Sequence, residues 1–290
     1  MDLPKILVQL DSDAQTSVFD SVVAVDAGVD HLFRHSSITP DAVRDLVYGA
    51  MFTRGPEQLC RTAVFVGGSN VAAGEELVKK VSECFFGPVR VSVMLDSNGA
   101  NTTAAAAVLA AARHHELRGA KALVLAATGP VGSRVARLLA REGANVRVAS
   151  RDLGRSETVC ESVTARVEGA SVSPVQVASP EELTAALDGV EVVFAAGAAG
   201  IELLPEEARA SCSSLKVAID LNAVPPLGMG GIEVTDRGKD YDGVICYGAV
   251  GVGGTKMKIH RAAIQKLFEA NDQVLDAEEI FEIGRDEIEK

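Results

Sequence analysis

The first third of the chain alternates short apolar runs with a segment of helical period. The apolar runs Lys5–Leu10, Thr62–Val66 and Val89–Leu95 have the length of buried strands, and polar residues or glycines follow each of them. Between the last two runs, the apolar positions of Val71–Val81 follow the period of an amphipathic helix. Strand, helix and strand in this order predict a parallel α/β unit. The segment Ser17–Val25 suits either a helix or a strand, because its period is ambiguous.

The middle of the chain repeats this alternation around a glycine-rich turn. The alanine-rich segment Asn101–His115 predicts a long helix that links two domains. The apolar run Ala122–Ala127 predicts a strand, Ser133–Glu142 a helix, and Asn145–Ala149 the next strand. Further strands are predicted at Val190–Ala195, Val217–Leu221 and Gly243–Tyr247, and a helical stretch at Lys256–Lys290.

These elements predict the α/β class, with two α/β domains and a cleft between them. The second domain is expected to be built on a Rossmann-type parallel sheet. A chain of 290 residues is long enough for two cores of ordinary size. We expect an N-terminal α/β substrate domain at residues 1–99 and a Rossmann-type NADP-binding domain at residues 100–269. The C-terminal helices at residues 270–290 are expected to join the first domain.

The turn after the strand Ala122–Ala127 has the composition of a dinucleotide-binding loop. Between a strand and a helix, such a turn places a pyrophosphate on the N-terminus of the helix. Gly129 lets the backbone approach the pyrophosphate, and Gly132 permits close packing of helix on strand. Ala127 occupies the first glycine position of the G-x-G-x-x-G pattern, and a plain tight turn is the alternative. The predicted cofactor-binding residues of this turn are Thr128, Gly129, Pro130, Val131 and Gly132.

The residues after the next strand distinguish the two nicotinamide cofactors. Ser150 and Arg151 suit the 2′-phosphate of NADP, since they offer a hydroxyl and a planar guanidinium. Asp152 repels a phosphate and suits the ribose hydroxyl of NAD. We predict NADP as the cofactor and keep NAD as the alternative; a solvated Arg151 without a ligand is also open.

Two later loops extend the predicted cofactor site. Ala196, Gly197 and Ala198 follow a predicted strand, and their small side chains permit close approach to a ribose or nicotinamide. Asn222 follows another predicted strand. Its amide is predicted to bind a carboxamide or the substrate, and a turn residue before two prolines is the alternative.

Composition and charge exclude several classes of partner. The net charge is −12 and no run of Lys and Arg is present, which argues against nucleic acid. Five cysteines without a C-x-x-C pair predict free thiols in a reducing compartment and no metal site. No apolar run approaches the ~18 residues that span a bilayer, and no cationic leader is present. We expect a cytoplasmic protein without membrane partners, and exposed apolar helices favour a homo-oligomer.

Polar residues gather after the first and third predicted strands. Ligands of open parallel sheets bind at such carboxyl ends, so these residues are expected to meet a substrate. Lys256 follows a glycine-rich stretch just before an expected helix start, where a ligand role competes with that of an ordinary surface lysine. The predicted substrate-binding residues are Asp13, Ser17, Asp20, Asp96, Asn98, Thr102 and Lys256.

Seven stretches of the chain together have the pattern of one known family, and two of them, around Met94–Gly99 and Gly253–Arg261, are far more specific than the glycine turn. The seven stretches are Asp11–Asp20, Phe65–Glu75, Phe85–Ala107, Thr128–Gly132, Ala196–Pro205, Asn222–Asp236 and Gly251–Glu269. Over essentially the whole chain, they resemble the bacterial NAD(P)-dependent methylenetetrahydromethanopterin dehydrogenases of one-carbon metabolism. The resemblance implies an enzyme that oxidises the methylene bridge of a reduced pterin to methenyl and passes hydride to NAD(P). It also places Lys256 near the reacting groups, as the predicted catalytic residue.

Two alternatives to this function remain open at the level of sequence. A methylenetetrahydrofolate dehydrogenase that uses NADP shares the implied fold. A non-catalytic NADP-sensing protein is the alternative from a different class. Intact polar loops at Asp11–Asp20 and Asp96–Thr102 argue against a sensor that has lost its substrate.

Overall fold

The computed structural model describes residues 3–289 and divides the chain into two compact units. The first unit combines the residues up to Thr102 with those from Met257 onward, and the second is Thr103–Lys256. The predicted boundaries differ most at the second junction, because residues 257–269 were assigned to the Rossmann-type domain and group with the first unit. Ile259 and Ile264 are fully buried in this segment.

The elements are numbered in chain order. The first part of the chain contains β1 (Ile6–Leu10), α1 (Val18–Asp26), β2 (His31–His35), α2 (Val43–Met51), β3 (Thr62–Val66), α3 (Val71–Glu83), β4 (Ser92–Leu95) and α4 (Ala100–Ala112). The middle contains β5 (Lys121–Leu125), α5 (Pro130–Arg141), β6 (Asn145–Ser150), α6 (Leu153–Arg166), β7 (Ser171–Gln176), α7 (Pro180–Leu187), β8 (Val192–Ala195), α8 (Glu206–Ser211), β9 (Val217–Asp220), β10 (Arg237–Tyr241) and β11 (Val244–Tyr247). The last part contains α9 (Ala249–Lys266), β12 (Val274–Leu275) and α10 (Ala277–Glu289).

The first unit is built on a parallel sheet. Within residues 3–289 its strand order is β12-β4-β3-β1-β2, and each neighbouring pair is parallel. Val8 and Val64 lie on a face of the sheet that packs against α2 and α3 through Val47 and Leu77. Every residue of β3 and β4 is buried, so both faces of these strands are covered, which explains why they are continuous runs without alternation.

The second unit has a larger sheet of Rossmann type. Its order in the described part of the chain is β10-β11-β9-β8-β5-β6-β7, with β10 antiparallel to β11 and the other pairs parallel. The strands proceed from β5 to β6 and β7 in one direction, and the chain then returns to place β8 and β9 on the other side of β5. Folds of this type bind nucleotides at this topological switch point. The α/β class and the Rossmann-type sheet predicted from sequence are confirmed.

The ambiguous segment Ser17–Val25 is helical. Ser17 is the N-cap of α1, and its hydroxyl accepts the backbone N–H of Asp20 at 3.2 Å. An N-cap of this kind stabilises a helix by about 1 kcal/mol, which decides the fold of a segment whose hydrophobic pattern does not.

Strands β2, β7 and β10 were not predicted from the sequence. Each is the edge of its sheet, and most of their side chains are exposed or half-buried, so the apolar period is lost. Pro174 in β7 fits an edge position because proline cannot donate to a neighbouring strand. The helical stretch predicted for Lys256–Lys290 is interrupted by β12, which pairs with β4.

Gly132 brings α5 against the end of β5. A Cβ atom at this position would lie 2.8 Å from Cα of Ala127 and 3.0 Å from the carbonyl oxygen of Ala126. Ala126 itself has a φ of 54°, in the left-handed region, so the chain turns sharply between strand and helix. The role predicted for Gly132, close helix–strand packing, matches this geometry.

Gly132→Ala is expected to destabilise the second unit by about 1–3 kcal/mol, because the added methyl group overlaps backbone that cannot move aside cheaply. The urea midpoint of unfolding measures the loss. Gly49→Ala is the control, because a Cβ there would meet nothing within 4 Å. Alanine in α2 should raise stability by about 1 kcal/mol through helix propensity. A Gly132→Ala protein as stable as the wild type would contradict the packing described for α5.

Candidate functional site

The carboxyl end of β1 is organised by a buried carboxylate. Asp11 is 1% exposed, and its two carboxylate oxygens accept the backbone N–H of Asp13 at 2.9 Å and of Ser17 at 3.1 Å. A Cβ at Gly68 would lie 2.9 Å from Oδ1 of Asp11, so glycine is needed where the loop after β3 passes this carboxylate. Asp11 therefore shapes the loop that carries the predicted substrate residues.

Asp13 and Asp20 are the more accessible acids of this loop and of α1. Both are half-buried. The carboxylate of Asp13 accepts the backbone N–H of Ser69 at 2.8 Å and the hydroxyl of Ser69 at 3.0 Å, which joins the loops after β1 and β3. The carboxylate of Asp20 lies beside Gly67, where a Cβ would be 3.4 Å from Oδ2. The structure thus brings Asp13, Ser17 and Asp20 to one end of the first sheet.

Asp96 anchors the start of α4. It is 1% exposed, and Oδ1 accepts the backbone N–H of Asn101 and Thr102, both at 3.0 Å, while Oδ2 accepts the Thr102 hydroxyl at 2.6 Å. Thr102 is fully buried. Both residues were predicted to bind substrate; in this structure their polar atoms bond to each other and to backbone. Their contribution is to hold the loop after β4.

Asn98 lies at the tip of the same loop and is exposed. Its φ of 54° is left-handed, and its backbone N–H donates to the carbonyl oxygen of Gly68 at 2.6 Å. Because asparagine tolerates this conformation better than most residues, the tight loop can present an amide side chain beside the loop after β3.

Lys256 does not lie at a helix start as predicted. Helix α9 begins at Ala249, so Lys256 is in its second turn and half-buried. Two earlier glycines serve packing, because a Cβ at Gly248 or Gly251 would collide with the backbone carbonyl oxygen of Glu233 or Asp236, respectively. A Cβ at Gly253 or Gly254, the two glycines nearest Lys256 in the sequence, would meet nothing within 4 Å, so packing does not explain them, and the anion-holding role stays a prediction.

A cavity of about 340 Å³ opens at the switch point of the second sheet. It contains the ends of β5 and β6 and the loop after β8, which is the expected location of a dinucleotide. Of the predicted cofactor residues, Thr128, Ser150, Arg151, Gly197 and Ala198 line it. The turn residues Gly129, Pro130, Val131 and Gly132, together with Ala196 and Asn222, are outside this lining.

The N-terminus of α5 fits a pyrophosphate. Gly129 is the N-cap, Pro130 is the first helical residue, and no side chain caps the helix. A Cβ at Gly129 would meet only the carbonyl oxygens of Ala196 and Ala126, at 3.7 and 3.8 Å. The protein fold therefore tolerates a side chain at this glycine, and the close approach of a pyrophosphate stays the predicted reason for it.

Asp152 has a structural role that the sequence did not reveal. It is the N-cap of α6, where its Oδ1 accepts the backbone N–H of Arg155 at 3.2 Å. Its own backbone N–H donates to Oγ of Ser150 at 3.2 Å. The helix N-terminus offsets part of the negative charge of this carboxylate, so its repulsion of a nearby phosphate is reduced.

Arg155 is a cavity residue that sequence reasoning missed. It is exposed and lines the same cavity as Arg151, in the first turn of α6. Two guanidinium groups and the Ser150 hydroxyl supply donors of the kind that bind a phosphate. The signal in the sequence was the capping aspartate: Asp152 as N-cap places the residue three positions later in the first helical turn.

The loops after β8 and β9 are held by a second buried carboxylate and by Asn222. Asp220 is fully buried and accepts the backbone N–H of Asn222 at 2.9 Å and of Met229 at 3.0 Å. Burial raises the pKa of Asp220, although its bonds from backbone N–H groups counteract this rise. The Asn222 amide donates to carbonyl oxygens of Pro226 at 3.2 Å and Ala198 at 3.5 Å. These bonds make Asn222 part of the loop structure, and the ligand contact predicted for its amide stays a prediction.

Within residues 3–289 no group of three His, Cys, Asp or Glu side chains is arranged to hold a metal ion. Among the helices described, none is both long and apolar enough to cross a membrane.

The cavity, the switch point and the glycine turn define the class: an α/β protein whose second unit is an NAD(P)-binding domain of Rossmann type. A family model described as NAD(P)H-binding matches residues 126–223. A second, described as the N-terminal domain of methylene-tetrahydromethanopterin dehydrogenase, matches residues 18–98.

Two curated relatives cover nearly the whole chain. The bifunctional protein MdtA of Methylorubrum extorquens is 48% identical over 284 residues, which are 97% of this chain and 98% of that protein. The NAD(P)-dependent methylenetetrahydromethanopterin dehydrogenase of the same organism is 30% identical over 278 residues, 92% of this chain and 93% of that protein. This chain belongs to the methylenetetrahydromethanopterin dehydrogenase family, and the resemblance stated from sequence is confirmed.

A solved structure of 5-ketofructose reductase from Gluconobacter covers 98% of this chain and 99% of its own, at 14% identity and a TM-score of 0.49. Likeness at this level does not bear on the activity.

Gly129→Ala is expected to weaken binding of NADP and NAD alike by about tenfold or more, because a methyl group stands where the pyrophosphate must approach the backbone. Isothermal titration calorimetry with each cofactor measures the effect. The thermal midpoint should stay within about 2 °C of the wild type, in contrast to Gly132→Ala. Unchanged affinity for both cofactors would place the pyrophosphate elsewhere.

Arg155→Ala is expected to weaken NADP binding by about tenfold to a hundredfold, since a charge-assisted hydrogen bond to the 2′-phosphate contributes about 1.5–3 kcal/mol. Affinity for NAD, which lacks this phosphate, should change less than twofold (about 0.4 kcal/mol). Arg166→Ala, at the other end of α6, is the matched control. Equal losses of affinity for NADP and NAD would show that Arg155 does not bind the 2′-phosphate.

Proposed function

We propose that this protein oxidises methylenetetrahydromethanopterin to methenyltetrahydromethanopterin and passes the hydride to NADP. The observation that carries the proposal is the match to methylenetetrahydromethanopterin dehydrogenases over nearly the whole chain, combined with a Rossmann-type cavity lined by two arginines. NAD is the alternative cofactor, as the NAD(P)-dependent relative allows.

The chemistry of this reaction needs little acid or base catalysis. The reacting methylene carbon lies between two nitrogen atoms, whose lone pairs stabilise the methenyl cation that forms when hydride leaves. When bound, NADP supplies the hydride acceptor at C4 of its nicotinamide ring. The protein then contributes mainly by holding the pterin in a reactive orientation, and such positioning accounts for a large part of many enzymatic rates.

The residues present fit NADP. The α5 N-terminus without a side-chain cap suits the pyrophosphate, and Arg151, Arg155 and Ser150 suit the 2′-phosphate. Gly197 and Ala198 leave the cavity open beside the loop after β8. A Cβ at Gly197 would lie 2.7 Å from Cδ1 of Leu203, so a side chain at this position would displace the end of the Leu203 side chain.

We assign pterin binding to the carboxyl end of the first sheet. Asp13, Ser17, Asp20 and Asn98 offer acceptors and donors there on half-buried or exposed side chains. Carboxylates match the N–H donors of a reduced pterin, and near the reacting carbon they stabilise the positive charge that develops. Asp96 and Thr102 are buried behind this surface and hold the loop after β4 in place through their hydrogen bonds.

Lys256 is assigned the catalytic position. Its ammonium orients the pterin by hydrogen bonding, which agrees with a reaction that has no obligatory proton transfer. Its half-buried place in the second turn of α9 leaves a long side chain that can reach a ligand.

A cytoplasmic homo-oligomer is part of this proposal. The five cysteines, Cys60, Cys84, Cys160, Cys212 and Cys246, are free thiols, as expected in a reducing compartment. Exposed apolar side chains on α1, including Val18, Val22 and Val25, support association with a second copy.

The decisive assay follows NADP reduction at 340 nm with methylenetetrahydromethanopterin, in parallel with NAD and with methylenetetrahydrofolate as a second carrier. Reduction with the pterin is expected, with a higher kcat/KM for NADP than for NAD. Cofactor binding without reduction by either carrier would overturn the assignment and favour a sensor.

Lys256→Ala is expected to lower kcat/KM for the pterin by about tenfold to a hundredfold, the loss of a charged hydrogen bond of about 1.5–3 kcal/mol. The Kd for NADP should stay unchanged. Lys258→Ala is the control, because Lys258 is exposed on the same helix. If Lys256→Ala retained both turnover and pterin affinity, Lys256 would have no role in the reaction.

A further inference from the structure

A buried imidazole lies on α9, one helical turn after Lys256. His260 is fully buried within the first unit. Its ring stacks on Phe65 of β3, with centroids 5.7 Å apart and an interplanar angle of 21°, and its centroid lies 6.3 Å from that of Phe19 in α1. The ring therefore joins α9 to a strand and a helix that border the proposed pterin surface.

His260 also meets the carboxylate that anchors the loop after β4. Its Nδ1 lies 3.9 Å from Oδ2 of Asp96, the oxygen that accepts the Thr102 hydroxyl. Asp96 holds the backbone N–H groups of Asn101 and Thr102 through its other oxygen. A shift of the imidazole would thus act on the same carboxylate that determines the loop carrying Asn98.

An aliphatic residue would be the usual choice at such a position. Ile259, Ala263 and Ile264 surround His260 along α9 and are fully buried apolar residues. A buried polar ring is unfavourable unless its interactions compensate. Histidine at this site therefore indicates a directional role beside Asp96 that packing alone does not require.

The helix transmits the placement of His260 to Lys256. Residues four apart lie on the same side of an α-helix, separated by about 6 Å along its axis. Whatever determines the rotation and depth of α9 at His260 also determines the direction in which the Lys256 side chain leaves the helix.

We propose that His260 is a positioning residue, which orients α9 through Phe65 and Asp96 so that the ammonium of Lys256 is presented to the pterin. The proposal rests on the proposed function of Lys256. It assigns no proton transfer to His260 and no contact with substrate.

The first test does not depend on activity. Lysines of the wild type and of His260→Leu are acetylated with an N-hydroxysuccinimide ester, and the rate at each lysine is read by mass spectrometry. We expect the rate at Lys256 to change by at least about threefold through the altered local environment, while exposed Lys258 keeps its rate. Unchanged labelling of Lys256 in a folded His260→Leu protein would overturn the proposal even if the enzyme is active.

The second test is a double-mutant cycle on kcat/KM for the pterin. His260→Leu alone is expected to lower it by about ten- to a hundredfold, with the Kd for NADP unchanged, because small displacements of a positioning group are costly. In a Lys256→Ala background, the same substitution should lower it by less than about threefold, since the two residues act as one unit. Equal losses in both backgrounds would reduce His260 to a general packing role.

His260→Gln and Ile264→Val serve as matched variants. His260→Gln keeps a polar donor and is expected to recover part of the lost activity and of the wild-type labelling rate. Ile264→Val removes a buried methylene from the same helix and should leave Lys256 labelling unchanged. If His260→Leu fails to fold, His260→Gln replaces it in the double-mutant cycle. The proposal is then contradicted if His260→Gln lowers kcat/KM for the pterin in the Lys256→Ala background by as large a factor as it does in the wild-type background. If His260→Leu changes the labelling rate of Lys256 as expected but the wild type reduces neither cofactor, the proposed function alone is overturned.

Discussion

Buried carboxylates at the ends of parallel strands are the interaction on which both units depend. When a strand buried on both faces ends, the backbone N–H groups of the following loop need acceptors that water does not supply. Asp11 after β1, Asp96 after β4 and Asp220 at the end of β9 provide them, each accepting at least two backbone N–H groups. The loops that line the proposed sites have their shapes because their backbone N–H groups donate to these buried carboxylates.

This arrangement separates buried acids that hold the loops from acids whose carboxylates remain accessible. Asp11, Asp96 and Asp220 are at most 1% exposed, and their oxygens are directed to backbone and hydroxyl donors. Asp13 lies on the loop after β1 and Asp20 lies in the first turn of α1, and both are half-buried. The same division holds in the second unit, where Asp152 caps α6 while Arg151 and Arg155 face the cavity. An enzyme whose chemistry is mainly orientation depends on this internal support as much as on its contacts with substrate.

Close approach of backbones is the second recurrent device. Gly132 at the start of α5 and Gly248 and Gly251 around the start of α9 stand where a Cβ would collide with neighbouring backbone. A Cβ at Gly129 would have space around it, so the fold does not require glycine there. The close approach of backbone thus requires some glycines of this chain and not others, and the tertiary structure distinguishes them.

The sequence by itself determined the α/β class and the Rossmann unit with its glycine turn, because buried parallel strands are continuous apolar runs. It also determined the family, because the family's motifs are contiguous stretches of sequence. Edge strands β2, β7 and β10 escaped prediction, since their half-exposed faces carry no apolar period. Only the tertiary structure shows which polar residues are accessible. Asp96 and Thr102 bond to each other in the interior, and Arg155 lines the cavity. Lys256 lies in the second turn of α9 and not at its start. Burial and hydrogen-bond direction depend on neighbours distant in the chain, and a linear pattern does not contain them.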